Sequence, residues 1–289
     1  MRCNSNALLL SLAGLLAALP APARADDVGQ KGREIFKQYQ HAVVTVQEVL
    51  KMSSPGAGRA NETKQDLTGT VVDPSGLTVL SLSMCDPSEM YQRMVGDDVT
   101  RRVETEITDL KILLDDGTEV PAEVVLRDKD LDLAFIRPKT KLTSPMPAIP
   151  LDKSAPAQLL DEVITLNRLN SAAGRAYAAS VERVSAVIQR PRTFYIPDST
   201  MTSTTLGSPA FALDGNLVGL VVMRSVSLKG GSARGYRDNI ASIILPAEDI
   251  LKAAKQAPEA KGDSEKKETP KDTPEDKGTN AVKEANEPK

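Results

Sequence analysis

Short stretches of apolar and β-branched residues, separated by turn residues, dominate the chain between about residues 38 and 250. Such stretches are typical of β-strands when Gly, Pro, Asn or Asp residues bound them. The stretches are 42–50, 67–72, 77–82, 103–114, 119–126, 131–136, 161–167, 176–189, 193–196, 209–213, 216–223 and 238–245. The pattern therefore predicts an all-β protein.

The predicted strands form two groups of about six, divided by the proline-rich segment 144–156. Turn signals such as Asp73–Gly76 and Asp214–Asn216 lie between neighbouring strands. Two groups of this size predict either two antiparallel β-barrels or one large sandwich. A single terminal helix is predicted over Ala247–Gln256, because Pro246 precedes it and acidic residues occupy its first turn.

The first 25 residues have the pattern of a signal peptide. Arg2 gives a positive start, an apolar stretch runs from Ala7 to Leu19, and Ala23–Ala25 has the small residues of a cleavage site. We expect cleavage after Ala25 and a periplasmic or secreted protein with no transmembrane segment left. An uncleaved anchor is the alternative.

The last residues have too few large apolar side chains to fold by themselves, and from Lys252 onward nine Lys balance nine Asp and Glu. We expect a disordered, solvating tail or spacer. The chain is accordingly divided into a signal peptide, a lead-in, a first barrel, a linker, a second barrel with the terminal helix, and the tail: 1–25, 26–37, 38–143, 144–160, 161–256 and 257–289.

The composition of the chain argues against some classes of function. The 289 residues are 40% hydrophobic with a net charge of −3, which fits a globular protein and excludes a generic electrostatic nucleic-acid binder. One His and two distant Cys argue against a zinc site, so we expect no metal, no cofactor and no nucleic-acid partner. The mature chain keeps Cys85, and we expect it to be buried and inert because no His or Lys adjoins it.

Three stretches carry a more specific signal: the hairpin Gly69–Gly76, the segment Asp130–Ile136 and the segment Gly207–Gly219. The first is similar to a G-x-G-x-[IV]-x-D-x-x-G hairpin whose second strand ends at a catalytic His. The second is similar to the segment that carries the catalytic Asp, and the third to the stretch after a nucleophilic Ser. Together they resemble the HtrA family of trypsin-like serine proteases (DegP type) over roughly residues 38 to 250. The resemblance implies two six-stranded antiparallel β-barrels, the trypsin-like or chymotrypsin fold.

Position by position, the resemblance places the catalytic Asp on Asp132, the His on Ser83 and the nucleophile on Leu206. Ser83 cannot accept a proton as an imidazole does, and Leu206 has no nucleophilic atom. The oxyanion-hole Gly falls on Thr204, whose branched Cβ disfavours positive φ. We expect a catalytically inactive member, a pseudoprotease, in which Asp132 forms hydrogen bonds at the inter-barrel cleft, including one with Ser83. Burial without a cation would raise the pKa of Asp132.

Two residues allow other interpretations. Ser208 could be a shifted nucleophile that works with Asp132 in an active HtrA-type endopeptidase, but we favour a turn-forming role before Pro209. The single histidine, His41, could be a relocated base, but we favour a polar residue at the entrance of the first strand.

The predicted ligand is a peptide or protein. It would bind in the inter-barrel cleft or on the long polar loop Met84–Arg102, since loops on a rigid β scaffold commonly carry binding functions. The PDZ module that often follows in the family has no room before the tail. A third hypothesis is an envelope structural protein in which the tail 257–289 is the working part.

Overall fold

The computed structural model describes residues 25–54, 60–95, 103–199, 204–225 and 240–259. These ranges contain four α-helices: α1 (Ala25–Tyr39), α2 (Leu82–Cys85), α3 (Ser88–Val95) and α4 (Ala247–Ala254). They also contain two short 3-10 turns, Gln40–Ala42 and Ser171–Ala173. Within the described ranges, none of the helices has the length and apolar character needed to cross a bilayer.

Twelve antiparallel strands close into two barrels of six. The first barrel has the order β1-β2-β3-β6-β5-β4, with β1 Val43–Ser53, β2 Asn61–Asp73, β3 Leu77–Ser81, β4 Glu104–Leu113, β5 Glu119–Asp128 and β6 Leu133–Pro138. The second has the order β10-β11-β12-β9-β8-β7, with β7 Glu162–Arg168, β8 Tyr177–Ile188, β9 Phe194–Pro197, β10 Pro209–Ala212, β11 Leu217–Ser225 and β12 Ile240–Pro246. The predicted pair of six-stranded antiparallel barrels with a short C-terminal helix is confirmed, and the single-sandwich alternative is wrong.

Apolar side chains form the barrel interiors and also join the two barrels. One buried cluster lies within the first barrel and another within the second. A third cluster contains Val79 and Phe135 of the first barrel together with Ile164 and Phe211 of the second. The barrels therefore share a packed core, which fixes the cleft between them.

Two buried threonines of β2 hold the chain that leads into β10. Thr68 Oγ1 donates to the carbonyl of Thr204 at 2.9 Å, and Thr70 Oγ1 donates to that of Gly207 at 2.7 Å. Gly207 has a φ of +90°, and a Cβ there would lie 2.3 Å from the carbonyl oxygen of Thr68. Only glycine fits this close approach between the barrels.

The structure contains more helix than the sequence analysis predicts. Helix α1 occupies the lead-in segment 26–37, for which the sequence analysis predicts no helix. The helix packs on the second barrel: Ile35 is buried, and the ring of Tyr39 stacks on that of Phe211 with centroids 4.7 Å apart. Only one helix face is apolar, and that pattern was not recognised as helical.

Helix α4 begins at the predicted residue and ends two residues early, at Ala254. It packs on β11 and β12 of the second barrel. The chain then returns to the first barrel, where Arg137 Nε donates to the carbonyl of Pro258 at 2.7 Å. The predicted signal peptide up to residue 24 and tail residues 260–289 lie outside the described residues.

Candidate functional site

Asp132 occupies a sharp turn between β5 and β6. The carboxylate of Asp128 accepts the backbone N–H groups of Asp130 and Leu131, at 3.1 and 3.0 Å, which tightens the turn. Asp132 itself has a φ of +59°, a conformation that Asp tolerates better than most residues. The turn directs its carboxylate into the cleft between the barrels.

Four donors surround the Asp132 carboxylate. Oδ1 accepts the backbone N–H of Ser83 at 2.7 Å and the hydroxyl of Ser83 at 2.6 Å. Oδ2 accepts the hydroxyl of Ser81 at 2.6 Å and the backbone N–H of Met223 at 2.8 Å. A carboxylate has about four acceptor sites, so these bonds fill its capacity. The predicted hydrogen bond between Asp132 and Ser83 is present.

Asp132 is 7% exposed, and burial raises the pKa of its carboxyl although the hydrogen bonds oppose the shift. The direction matches the sequence-based expectation, because the four donors are all neutral and do not replace a cation. Ser81 and Met223 were missed by sequence reasoning. The backbone N–H of Met223 has no sequence signal at all, since any residue other than proline supplies one.

A second buried carboxylate, that of Glu48, supports helix α2, which contains Ser83. Gln65 Nε2 donates both to Glu48 Oε2, at 2.8 Å, and to the carbonyl of Met84, at 3.1 Å. The thiol of Cys85 donates to Glu48 Oε1 at 3.7 Å. Glu48 is fully buried, and burial raises the pKa of its carboxyl to about 7. This group was also missed.

Cys85 is buried, as predicted, and burial raises the pKa of its thiol well above the ordinary value. The Glu48 carboxylate, to which the thiol donates, opposes thiolate formation further. A thiol in this environment is a poor nucleophile. Cys85 therefore packs in the buried cluster of the first barrel and donates a hydrogen bond to Glu48, and these contacts hold α2 beside the cleft.

Leu206 places an apolar side chain in the interior of the second barrel. It is 2% exposed and packs in the interior cluster of the second barrel with Val163, Val184 and Tyr195. It is not among the described residues that line the cleft with Ser83 and Asp132. Of the three positions that the resemblance singles out, Ser83 and Asp132 are joined by hydrogen bonds and line the cleft, and Leu206 belongs to the core of the second barrel.

Ser208 is fully buried, and its hydroxyl reaches only the carbonyl of Thr204, at 3.5 Å. Its backbone N–H donates to the carbonyl of Thr205 at 3.2 Å, within the turn that precedes β10. None of the hydrogen bonds among the described residues links Ser208 to Asp132. This placement fits a turn residue and does not present a nucleophile to the cleft.

His41 lies in the 3-10 turn just before β1, outside the cleft lining. Its Nδ1 is 2.6 Å from Asp115 Oδ2 and 3.3 Å from the hydroxyl of Tyr177, which also donates to Asp115. The guanidinium of Arg168 covers the Tyr177 ring at 3.9 Å. This cluster fastens the β4–β5 turn to the second barrel, and His41 takes a bridging role at the strand entrance.

The cleft has a volume of about 340 Å³. The first-barrel wall consists of Leu82, Ser83, Asp86, Met90, Lys129, Asp130, Leu131 and Asp132. The second-barrel wall consists of Pro191, Arg192, Met223, Arg224, Ile243 and Leu245. Met90 belongs to α3, so the described part of the Met84–Arg102 loop does contribute to the cleft, while residues 96–102 lie outside the described residues.

The described lining of the cleft brings together several kinds of chemical group. It contains the hydroxyl of Ser83, the amine of Lys129 and the guanidinium groups of Arg192 and Arg224, and among the described residues it has no imidazole or thiol. Within the described ranges, no three His, Cys, Asp or Glu residues are grouped so as to hold a metal ion. The cleft therefore has a mostly polar surface, with cations, hydrogen-bonding groups and some apolar side chains.

The chain matches the model of one protein family. The family model described as "Trypsin-like peptidase domain" matches residues 40–220, more than half of the chain. No curated protein matches. Among solved structures, an HtrA-type protease, an AlgW variant with a tripeptide, matches at 15% identity with a TM-score of 0.49, covering 78% of this chain. This chain spans 62% of the length of that protein.

Proposed function

Since the chain belongs to the trypsin-like peptidase domain family, we propose that it is a catalytically inactive, HtrA-like member that is exported and binds peptides in its inter-barrel cleft. The observation that carries this proposal is the Ser83 hydroxyl 2.6 Å from Asp132 Oδ1. In an active member an imidazole would take that bond and would pass a proton from the nucleophile. A serine hydroxyl donates to the carboxylate and has no comparable basicity.

Two further features support inactivity. Leu206 is an apolar side chain buried in the second barrel, so the position that the resemblance gives to the nucleophile serves as core. The backbone N–H of Gly207 donates to the carbonyl of Val221 at 2.7 Å, so it already has an acceptor within the second barrel. The position that the resemblance gives to the base thus donates to Asp132, and the position that it gives to the nucleophile is a buried apolar side chain.

The cleft itself remains, and that supports a binding role. It is open between the two walls, and its residues include half-buried Met90 and Met223, whose flexible side chains adapt to different partners. Fold alone does not fix function, so the ligand must be tested directly.

The test uses the full chain and an active trypsin-like protease as positive control. Incubation with a fluorophosphonate probe should label the control and leave this chain unlabelled, and casein digestion should not be detected. Labelling of one serine, lost in Ser208→Ala, would overturn the inactive assignment.

Binding is measured by fluorescence polarisation with labelled peptides from a casein digest. Met223→Trp, which fills the cleft, should weaken binding, whereas Leu159→Trp, at an exposed position outside it, should not.

Export and the tail have separate tests. Amino-terminal sequencing of the protein purified from a cell envelope fraction should start after Ala25 if the predicted signal peptide is cleaved. Removal of residues 260–289 should leave peptide binding unchanged, and the cut spares the Pro258 carbonyl that Arg137 contacts. Loss of binding in this truncation would favour the hypothesis that the tail is the working part.

A further inference from the structure

The second-barrel wall carries two arginines that form no ion pair with any described residue. Arg192 and Arg224 are both half-buried and both line the cleft. In the part of the chain that the structure describes, neither forms an ion pair with a carboxylate; the guanidinium of Arg224 lies over the ring of Phe194, 4.8 Å from its centroid. A guanidinium that is partly desolvated and has no counter-charge attracts an anion.

The carboxylates of the first-barrel wall do not supply that counter-charge. Asp132 already has four donors, and Asp86 accepts the hydroxyl of Thr105 at 2.6 Å and pairs with Arg127 at 3.6 Å. Asp130 lies at the exposed rim beside Lys129. The described cleft lining has three carboxylates and three cations, but the committed carboxylates belong to the first-barrel wall and the two arginines belong to the second-barrel wall.

The surface of the cleft is mostly polar, but apolar side chains lie in the same wall as the two arginines. Met223 adjoins Arg224 in β11, and Ile243 and Leu245 of β12 lie next to that strand and are almost fully buried. A ligand that fits this wall therefore combines an apolar side chain with an anion. Among peptide groups the carboxylate matches best, because two of its oxygens accept from the planar fork of an arginine.

We propose that the cleft selects peptides in which a carboxylate, held by Arg192 and Arg224, is next to an apolar side chain that covers Met223. This inference rests on the proposed function and adds the ligand class. The carboxylate can belong to an Asp or Glu side chain or to a free C-terminus, and both sources share the same chemistry. Asp132 does not contact the ligand in this arrangement, since its acceptor sites are filled.

The test compares three fluorescein-labelled peptides that share one apolar sequence. The first has an internal Glu and an amidated end, the second has Gln in place of Glu and an amidated end, and the third has Gln and a free C-terminal carboxylate. Fluorescence polarisation should give about tenfold tighter binding for at least one of the two carboxylate peptides than for the neutral one. Of the two carboxylate peptides, the one that binds more tightly shows whether the carboxylate comes from a side chain or from a free C-terminus.

Variants connect this preference to the two residues. Arg192→Gln and Arg224→Gln should each reduce the preference for the carboxylate peptide, and the double variant should abolish it while the neutral peptide binds as before. Arg224→Lys, which keeps the charge without the fork, should retain part of the preference. Arg190→Gln is the matched control, because Arg190 is exposed in the same loop and does not line the cleft.

The outcomes separate the two proposals. If the neutral and carboxylate peptides bind the natural protein equally, carboxylate selection is wrong and peptide binding stands. If Arg190→Gln removes the preference as fully as the cleft variants do, the assignment of the carboxylate to Arg192 and Arg224 is wrong. If none of the peptides binds and casein-derived peptides fail as well, both proposals fall. Thermal melting of each variant shows that it is folded.

Discussion

The backbone N–H of Met223, in the second barrel, donates to Oδ2 of Asp132, in the first, at 2.8 Å. One carboxylate therefore joins β11 to the β5–β6 turn, while its other three bonds hold the end of β3 and the start of α2. At the position where the resemblance expects an aspartate that orients a catalytic base, this residue ties two barrels together.

Asp132→Ala should lower the free energy of unfolding by about 3 kcal/mol or more, because it leaves two hydroxyls and two backbone N–H groups in the cleft without their acceptor. Ser83→Ala removes one donor and keeps the carboxylate, so it should cost about 1 kcal/mol. Urea denaturation of both variants measures the difference. Equal costs would show that the carboxylate is not the hub of these contacts.

Glu48 should make the protein less stable as the pH rises. Its pKa is about 7 in the folded protein against an ordinary value of 4.5, so the native state binds the proton more tightly than the unfolded chain does. Stability from this group is fully present below pH 4.5 and is lost as the pH rises through about 7. The size of the loss is about 3 kcal/mol.

Glu48→Gln isolates this effect, since the amide stays neutral at every pH. The difference in unfolding free energy between the variant and the natural protein should grow by about 3 kcal/mol from pH 4 to pH 8. Asp73 and Asp115, whose pKa values are lowered, act only at more acidic pH and are common to both proteins. A difference that does not change with pH would contradict the shifted pKa of Glu48.

Gly207→Ala should destabilise the protein far more than Gly215→Ala. Both glycines have a positive φ, +90° and +83°, so both variants carry the strain of that conformation, about 1 kcal/mol. At Gly207 the new Cβ would also meet the carbonyl of Thr68 at 2.3 Å, whereas nothing lies within 4 Å at Gly215. Chemical denaturation should give a cost for Gly207→Ala at least about 2 kcal/mol larger.

Leu206→Ala tests whether position 206 serves as core. The side chain is 2% exposed, and its loss should cost about 3 kcal/mol through the cavity that it leaves. Leu160→Ala removes the same atoms from a side chain that is 65% exposed and should change stability by less than about 0.5 kcal/mol. Similar values for the two variants would mean that Leu206 is not packed as described.

Much of the fold follows from the sequence because strands of a small barrel alternate in a simple way and end at recognisable turns. Gly76 and Gly215, for example, adopt the positive φ that their turn sequences predict. Helices α1 and α3 were missed for a different reason. Each is apolar on one face only and adjoins a segment whose composition is typical of a loop.

The site was predictable in part. Asp132 and Ser83 could be paired because a sequence resemblance aligns both. Glu48 could not be recognised as a buried carboxylate, since β1 is buried along most of its length and an isolated Glu there has the same sequence pattern as a solvated one. Its environment depends on Gln65 and Cys85, which reach it only when β2 and α2 are in place.

The two ends of the described chain cross over. Helix α1 precedes the first barrel yet rests on Phe211 of the second, and the segment after α4 returns to Arg137 of the first. If the chain were cut between the barrels, the second barrel would lose helix α1, which belongs to the first half. The first barrel would lose the segment after α4, which belongs to the second half. The two halves should melt in one cooperative transition, and neither should be recovered intact when expressed separately.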